Sequence, residues 1–216
     1  MPGLTTLLTL ADSRLPTGGH VHSGGVEEAV TSGLVTDLAT LEAFLRRRVR
    51  TTGLVTASVA VAVHTRTLTV ESADLETDAR TPAPAARMAS RAQGRGLLRL
   101  AKRVWPDTGD GTVDWSTLGR APHLAVVAGV VGRVSAQDPG HTALSLVYTT
   151  MTGSATAAQR LLALDPADVA AVTFALAEVC DQTAAEATAG LADLSDPLLD
   201  VLAQRHVARE RPLFVS

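Results

Sequence analysis

Apolar positions in this chain recur mainly at spacings of three and four, the signature of amphipathic helices. Leu4, Leu7, Leu8 and Ala11 predict a short first helix. Asp12–Gly19, with Pro16, Gly18 and Gly19, predicts a loop. A second helix is expected after Ser23-Gly24-Gly25, with Glu27 and Glu28 in its first turn, where the helix dipole favours carboxylates. Ser23 is the expected N-cap, accepting the N–H of Gly25 or Val26. Leu38, Leu41, Phe44, Leu45 and Val49 form a stripe, with Arg46, Arg47, Arg48 and Arg50 opposite. Gly53–His64 and Leu124–Val134 are apolar on all sides. Periodicity leaves them open between buried strand and buried helix; the scarcity of hairpin turns favours helices.

Thr81–Pro84 is a break. Beyond it Arg87, Arg91, Arg95, Arg99 and Arg103 recur every fourth residue, a stripe that drifts around one helix. Gly94 and Gly96 lie inside that helix at a cost of about 0.8–1 kcal/mol each relative to Ala, which close backbone packing or a helix break would justify. Residues 106–122, rich in Gly, Pro, Asp and Thr, predict a mobile loop. Leu144–Leu162 reads as a long helix. Asp165-Pro166 and Asp196-Pro197 are start signals, Asp as N-cap and Pro at the first helical position. Val169, Val172, Leu176, Val179 and Thr183 continue one apolar face. The fold class is all-α: one domain, residues 1–216, a bundle of about eight to ten helices with a tail near 205–216.

Composition narrows the chemistry. The 216 residues are 46% hydrophobic and 19% charged, a globular balance. Net charge is −3, so the protein as a whole presents no basic field to nucleic acid or membrane. Aromatics are 3%, leaving few platforms for base stacking along the arginine stripe. Cys180 is the one cysteine, so no internal disulfide forms. No apolar run reaches the ~20 residues of a spanning helix, and no signal peptide is recognisable; a cytoplasmic protein is expected. Lys102 is the one lysine and follows Ala101, which excludes a Walker-A phosphate loop.

His20-x-His22 offers imidazoles suited to nickel, zinc or copper, but no third ligand is adjacent, so both are weak metal candidates. Ser23 lacks the Gly-x-Ser-x-Gly elbow of a nucleophile. No catalytic residue and no stably bound cofactor is expected. Leu213 and Phe214 are apolar residues that need burial, which points to a docking peptide.

The segment Ser13–Glu27, with Pro16, Gly18, His22-Ser23, Gly25 and Glu27, resembles the N-terminal signature of the UreF family of urease accessory proteins. Ala89–Leu100 is similar to that family's central Gly-Arg helix, Pro122-His123 precedes a similar apolar helix, and Arg211–Ser216 resembles its Arg-Leu-Phe-x-Ser terminus. Two positions depart. His20 stands where family members often carry an aromatic residue, and Pro212 takes the place of the terminal arginine. The resemblance implies a dimeric, non-catalytic protein that bridges UreD (also called UreH) and the GTPase UreG while nickel enters apo-urease. Nickel is then cargo, and GTP belongs to the partner. It also implies roles. Pro16, Gly18, His22, Ser23, Gly25 and Glu27 face a partner; Arg91, Gly94 and Arg95 serve a dimer or partner helix; Arg211, Leu213, Phe214 and Ser216 dock onto UreD. The rival reading is a dimeric all-α transcription regulator. Its DNA-reading helix is hard to place, since Arg14 is the one Lys or Arg before Arg46.

Overall fold

The computed structural model describes residues 3–107, 109, 113–193, 196–210 and 212–214. All regular structure among them is helical: α1 (Leu4–Leu10), α2 (Val26–Thr31), α3 (Leu38–Arg48), α4 (Leu54–His64), α5 (Val70–Ala79), α6 (Pro84–Val104), α7 (Leu124–Val134), α8 (Pro139–Leu162), α9 (Pro166–Ala175), α10 (Ala177–Ala189) and α11 (Pro197–Val207). Short 3₁₀ turns cover Gly19–Val21 and Trp115–Leu118. The all-α expectation holds, and both ambiguous apolar runs are helices.

The apolar run after Gly53 is the centre of the molecule. Nine of its residues, Leu54, Val55 and Ala57–Val63, are buried, and α5, α7, α8 and α10 pack around it. A helix apolar on every side needs neighbours on every side. Gly129 of α7 lets that helix approach closely; a Cβ there would overlap the Ala60 carbonyl oxygen. Ser58 meets its own polar demand, donating to the Val55 carbonyl at 2.9 Å and accepting the Ala192 N–H at 3.1 Å.

Four starts are capped by an aspartate, two of them, Asp165 and Asp196, as expected. Asp37 accepts the Thr40 N–H in a capping box. Asp138, Asp165 and Asp196 each precede a first-turn proline and accept a backbone N–H two residues on.

Several expectations need correction. The stripe ending at Val49 and the run from Gly53 are one continuous rod, joined through a π-turn at Val49–Gly53. The face from Val169 to Thr183 is not one straight helix; the chain turns at the fully buried Leu176 between α9 and α10. The described part of the 106–122 segment is anchored from Val113 onward. Val113, Trp115 and Leu118 are buried, and Trp115 Nε1–H donates to the Trp105 carbonyl at 2.7 Å. Residues 108 and 110–112 of that loop lie outside the described residues. The helix α5 was not anticipated. Its apolar positions are sparse, but Thr69 caps it by accepting the Ser72 N–H at 3.1 Å.

Candidate partner-binding site

The N-terminal signature divides into an exposed half and a buried half. Ser13, Arg14 and Pro16 are exposed and Gly18 is half-buried, whereas His22, Ser23, Gly25 and Glu27 are buried. Gly24 and Gly25 take φ of 65° and 89°, a left-handed turn that side chains resist. That turn drives the chain inward just before α2. Of His20 the backbone lies in the 3₁₀ turn, and its side chain is outside the described residues.

Ser23 is not the N-cap. Gly25 occupies that position without a side-chain cap, and Ser23 Oγ accepts the Glu27 N–H at 3.4 Å instead. The left-handed turn separates Ser23 from the helix start, so its hydroxyl reaches an N–H one turn later. The Ser23 carbonyl accepts from Ser154 Oγ at 3.1 Å, which ties the turn to α8.

Glu27 faces inward and holds the C-terminal segment. It is 3% exposed. His206 Nε2–H donates to it at 2.8 Å, the Leu213 N–H at 2.7 Å and the Phe214 N–H at 3.0 Å. Burial alone would raise the Glu27 pKa. The Leu213 N–H, His206 and the Phe214 N–H outweigh burial and hold it below the ordinary carboxylate value. Phe214 is 6% exposed and lies under the Arg160 guanidinium, 5.4 Å from its ring centroid. Leu213, 59% exposed, points outward. The two apolar tail residues therefore part company: Phe214 is buried by this chain itself, and Leu213 is exposed. Arg211 and Ser216 lie outside the described residues.

The arginine stripe of α6 divides in the same way. Its drift carries Arg87 and Arg91 inward and leaves Arg95, Arg99 and Arg103 exposed. Arg91 donates to Asp74 and Asp78, each at 2.8 Å, and to the Ala121 carbonyl at 2.6 Å. His123, fully buried, donates from Nε2 to Asp78 at 2.9 Å and accepts from Ser90 Oγ at 3.0 Å. Burial lowers the His123 pKa; Asp78 opposes that and Arg91 adds to it, so the ring stays neutral at pH 7. Asp74, Asp78 and His123 are also the one cluster among the described residues with three convergent metal-ligand atoms. Arg91 already places a cation on both carboxylates, so the cluster works as an internal brace between α5, α6 and α7. Sequence reasoning missed it, because its acidic members sit on the unanticipated α5.

Gly94 and Gly96 have the packing role expected of them. A Cβ on Gly94 would overlap the Pro122 carbonyl oxygen and lie 2.8 Å from the His123 carbonyl carbon. One on Gly96 would overlap the Thr17 carbonyl oxygen and lie 2.9 Å from the Thr17 Cα. The exposed half of the N-terminal signature thus rests directly on α6, beside the exposed Arg95. Of the candidate partner residues, Pro16, Arg95 and Leu213 are exposed and Gly18 is half-buried.

Residues 35–177 match the family model described as UreF. The whole chain is similar to proteins named urease accessory protein UreF. Identity is 74% with that of Mycobacterium sp. (strain JLS), and 72% with those of Mycolicibacterium vanbaalenii and Mycobacterium tuberculosis (strain H37Rv). Each alignment covers 100% of both chains.

Proposed function

Because the chain belongs to the UreF family of urease accessory proteins, we propose that it serves urease maturation as a non-catalytic bridging protein. It joins UreD (UreH) to the GTPase UreG, in a complex that passes nickel into apo-urease. It works in the cytoplasm as a homodimer, binds no nucleic acid and holds no cofactor of its own. Nickel is the cargo of the complex, and GTP is bound and hydrolysed by UreG. The observation that carries this reading is end-to-end similarity to proteins named urease accessory protein UreF. The missing Gly-Lys-[Ser/Thr] fits it, since nucleotide chemistry then has to come from a partner. No described helix is long and apolar enough to cross a membrane.

On this reading the open residues near the N-terminal loop, Pro16, Gly18 and Arg95, contact UreG or UreD, and Leu213 contacts UreD. Leu213→Ala then weakens the UreD complex and leaves helical content intact. Phe214→Ala acts differently, by freeing the tail from this chain's own body. The deciding experiment deletes the gene in a urease-producing host and measures urease activity and urease-bound nickel, with and without the restored chain. Urease protein that is present, inactive and nickel-poor, and rescued by the chain, supports the reading. Full activity with normal nickel overturns it.

A further inference from the structure

The helix α6 carries six Lys and Arg and no Asp or Glu. The first two, Arg87 and Arg91, are met by carboxylates of α5. The next four, Arg95, Arg99, Lys102 and Arg103, are exposed. At 100° per residue they fall within about 100° of arc, along about 12 Å of helix. No described carboxylate reaches them.

A single exposed arginine without a counter-ion is ordinary. Four cations on one face are not. Arg99 has a like charge one turn away on either side, at Arg95 and Arg103, and such pairs oppose the helix that carries them. The chain does not lack acids to place between them. Residues 165–189, which hold α9 and α10, carry five Asp and Glu and no Lys or Arg. Yet α9 and α10 pack on α8, whereas α6 packs on α7 and α11. A surface that serves solubility alone mixes both signs. Here the signs are sorted onto different helices.

The surroundings of the ridge name its partner. The Pro16–Gly18 loop lies against α6 at Gly96, between Arg95 and Arg99, and exposed Val104 follows Arg103. Arginine beside uncharged surface suits a protein interface. Nucleic acid fits less well. Trp105 and Trp115, the aromatic residues that follow Arg103, are half-buried and buried, so bases find no stacking platform there. A net charge of −3 also opposes a phosphate backbone. Guanidinium forks match carboxylates two bonds at a time. We propose that the outward face of α6 docks a protein partner through an acidic surface, whose Asp and Glu pair with Arg95, Arg99, Lys102 and Arg103. This rests on the bridging reading and gives one of the bridged contacts its chemistry.

The test measures Kd of the full-length chain for UreD and for UreG separately, at low and at physiological salt. With one of the two, Arg99→Glu should weaken binding roughly tenfold at low salt, and the gap should narrow as salt rises. Arg50→Glu, an equal charge change at an exposed arginine outside α6, should bind like the unaltered chain. Without partners, Arg99→Glu should raise Tm by roughly 1–3 °C, because the carboxylate it introduces lies one turn from both Arg95 and Arg103. Weaker binding with a higher Tm marks a docking face. A lower Tm alongside weaker binding would assign the ridge to the fold itself and overturn the proposal. Full binding of Arg99→Glu to both proteins overturns it too, and leaves the bridging reading standing. So does an equal loss from Arg50→Glu, which would show a response to net charge alone. If the unaltered chain binds neither protein, the bridging reading falls and this proposal with it. Tighter binding of duplex DNA that also needs Arg99 would give the face to nucleic acid instead.

Discussion

Gly94 and Gly96 show how one absent methyl group can position a whole loop. Replacing either with Ala gains about 1 kcal/mol of helix propensity. It also drives a Cβ into a backbone carbonyl, of Pro122 or of Thr17, and backbone cannot swing aside as a side-chain tip can. Overpacking of this kind costs about 1–3 kcal/mol, so both substitutions should lower stability in urea unfolding. A net gain in stability for either would refute the close approach. These two glycines were legible in the sequence because they break a local rule. Glu27 was not: it obeys the local preference for acid in a first turn, while its partners lie 179 to 187 residues away. Its folded pKa lies below the ordinary 4.5, so its contribution is complete above that value and is lost as pH falls through the lower folded pKa. Amide-exchange protection of Leu213 and Phe214 should therefore drop as pH falls below 4.5, and Glu27→Gln should remove it at neutral pH. Glu27→Gln should cost about 2–3 kcal/mol overall, the range for losing hydrogen bonds to a charged group. Protection that survives both changes would mean the tail is held by Phe214 packing alone.

At the scale of elements, the helices that sequence reasoning found are those with start signals, side chains at helical spacing or unbroken apolar runs. Asp165-Pro166 and Asp196-Pro197 mark their helices to the residue, because a cap is a local hydrogen bond between neighbours in the chain. The turn at Leu176 and the π-turn at Val49–Gly53 carry no such mark. Each keeps the apolar face continuous while the backbone adjusts to α8, which is a tertiary demand. The brace joining α5, α6 and α7 is likewise tertiary, and it separates two arginines that look alike in sequence. Arg91 spans two carboxylates and a carbonyl; Arg95, four residues on, is exposed with no ion pair among the described residues. Arg91→Ala leaves Asp74 and Asp78 without their shared cation and should cost about 2–3 kcal/mol, below the fully buried range because all three are half-buried. Arg95→Ala should change stability by less than about 0.5 kcal/mol. Similar losses for both would mean that the brace contributes nothing beyond a surface ion pair.

For the whole molecule, what matters is which apolar surface the fold leaves uncovered. The helix α4 is enclosed by its neighbours, and even the tail residue Phe214 is tucked in. Against that background Phe174 of α9 stands out at 80% exposure, flanked by exposed Ala170, Ala171 and Ala175. The repeated starts and turns explain its position. The turn at Leu176 points one side of α10 at α8 and leaves the far side of α9 without a neighbour. An aromatic ring left in water on a helix of small residues offers a flat, close-packing surface for another chain. Placing a carboxylate there, as in Phe174→Asp, should leave helical content unchanged and stability within about 0.5 kcal/mol, because the ring makes little contact inside the monomer. The homodimer proposed above should nevertheless weaken, and sedimentation velocity should show the monomer at concentrations where the unaltered chain is dimeric. An unchanged dimer would take α9 out of the homodimer contact. The same variant, mixed with UreD and UreG, would then show whether this face belongs to one of them, since a ring this exposed has no structural task within its own chain.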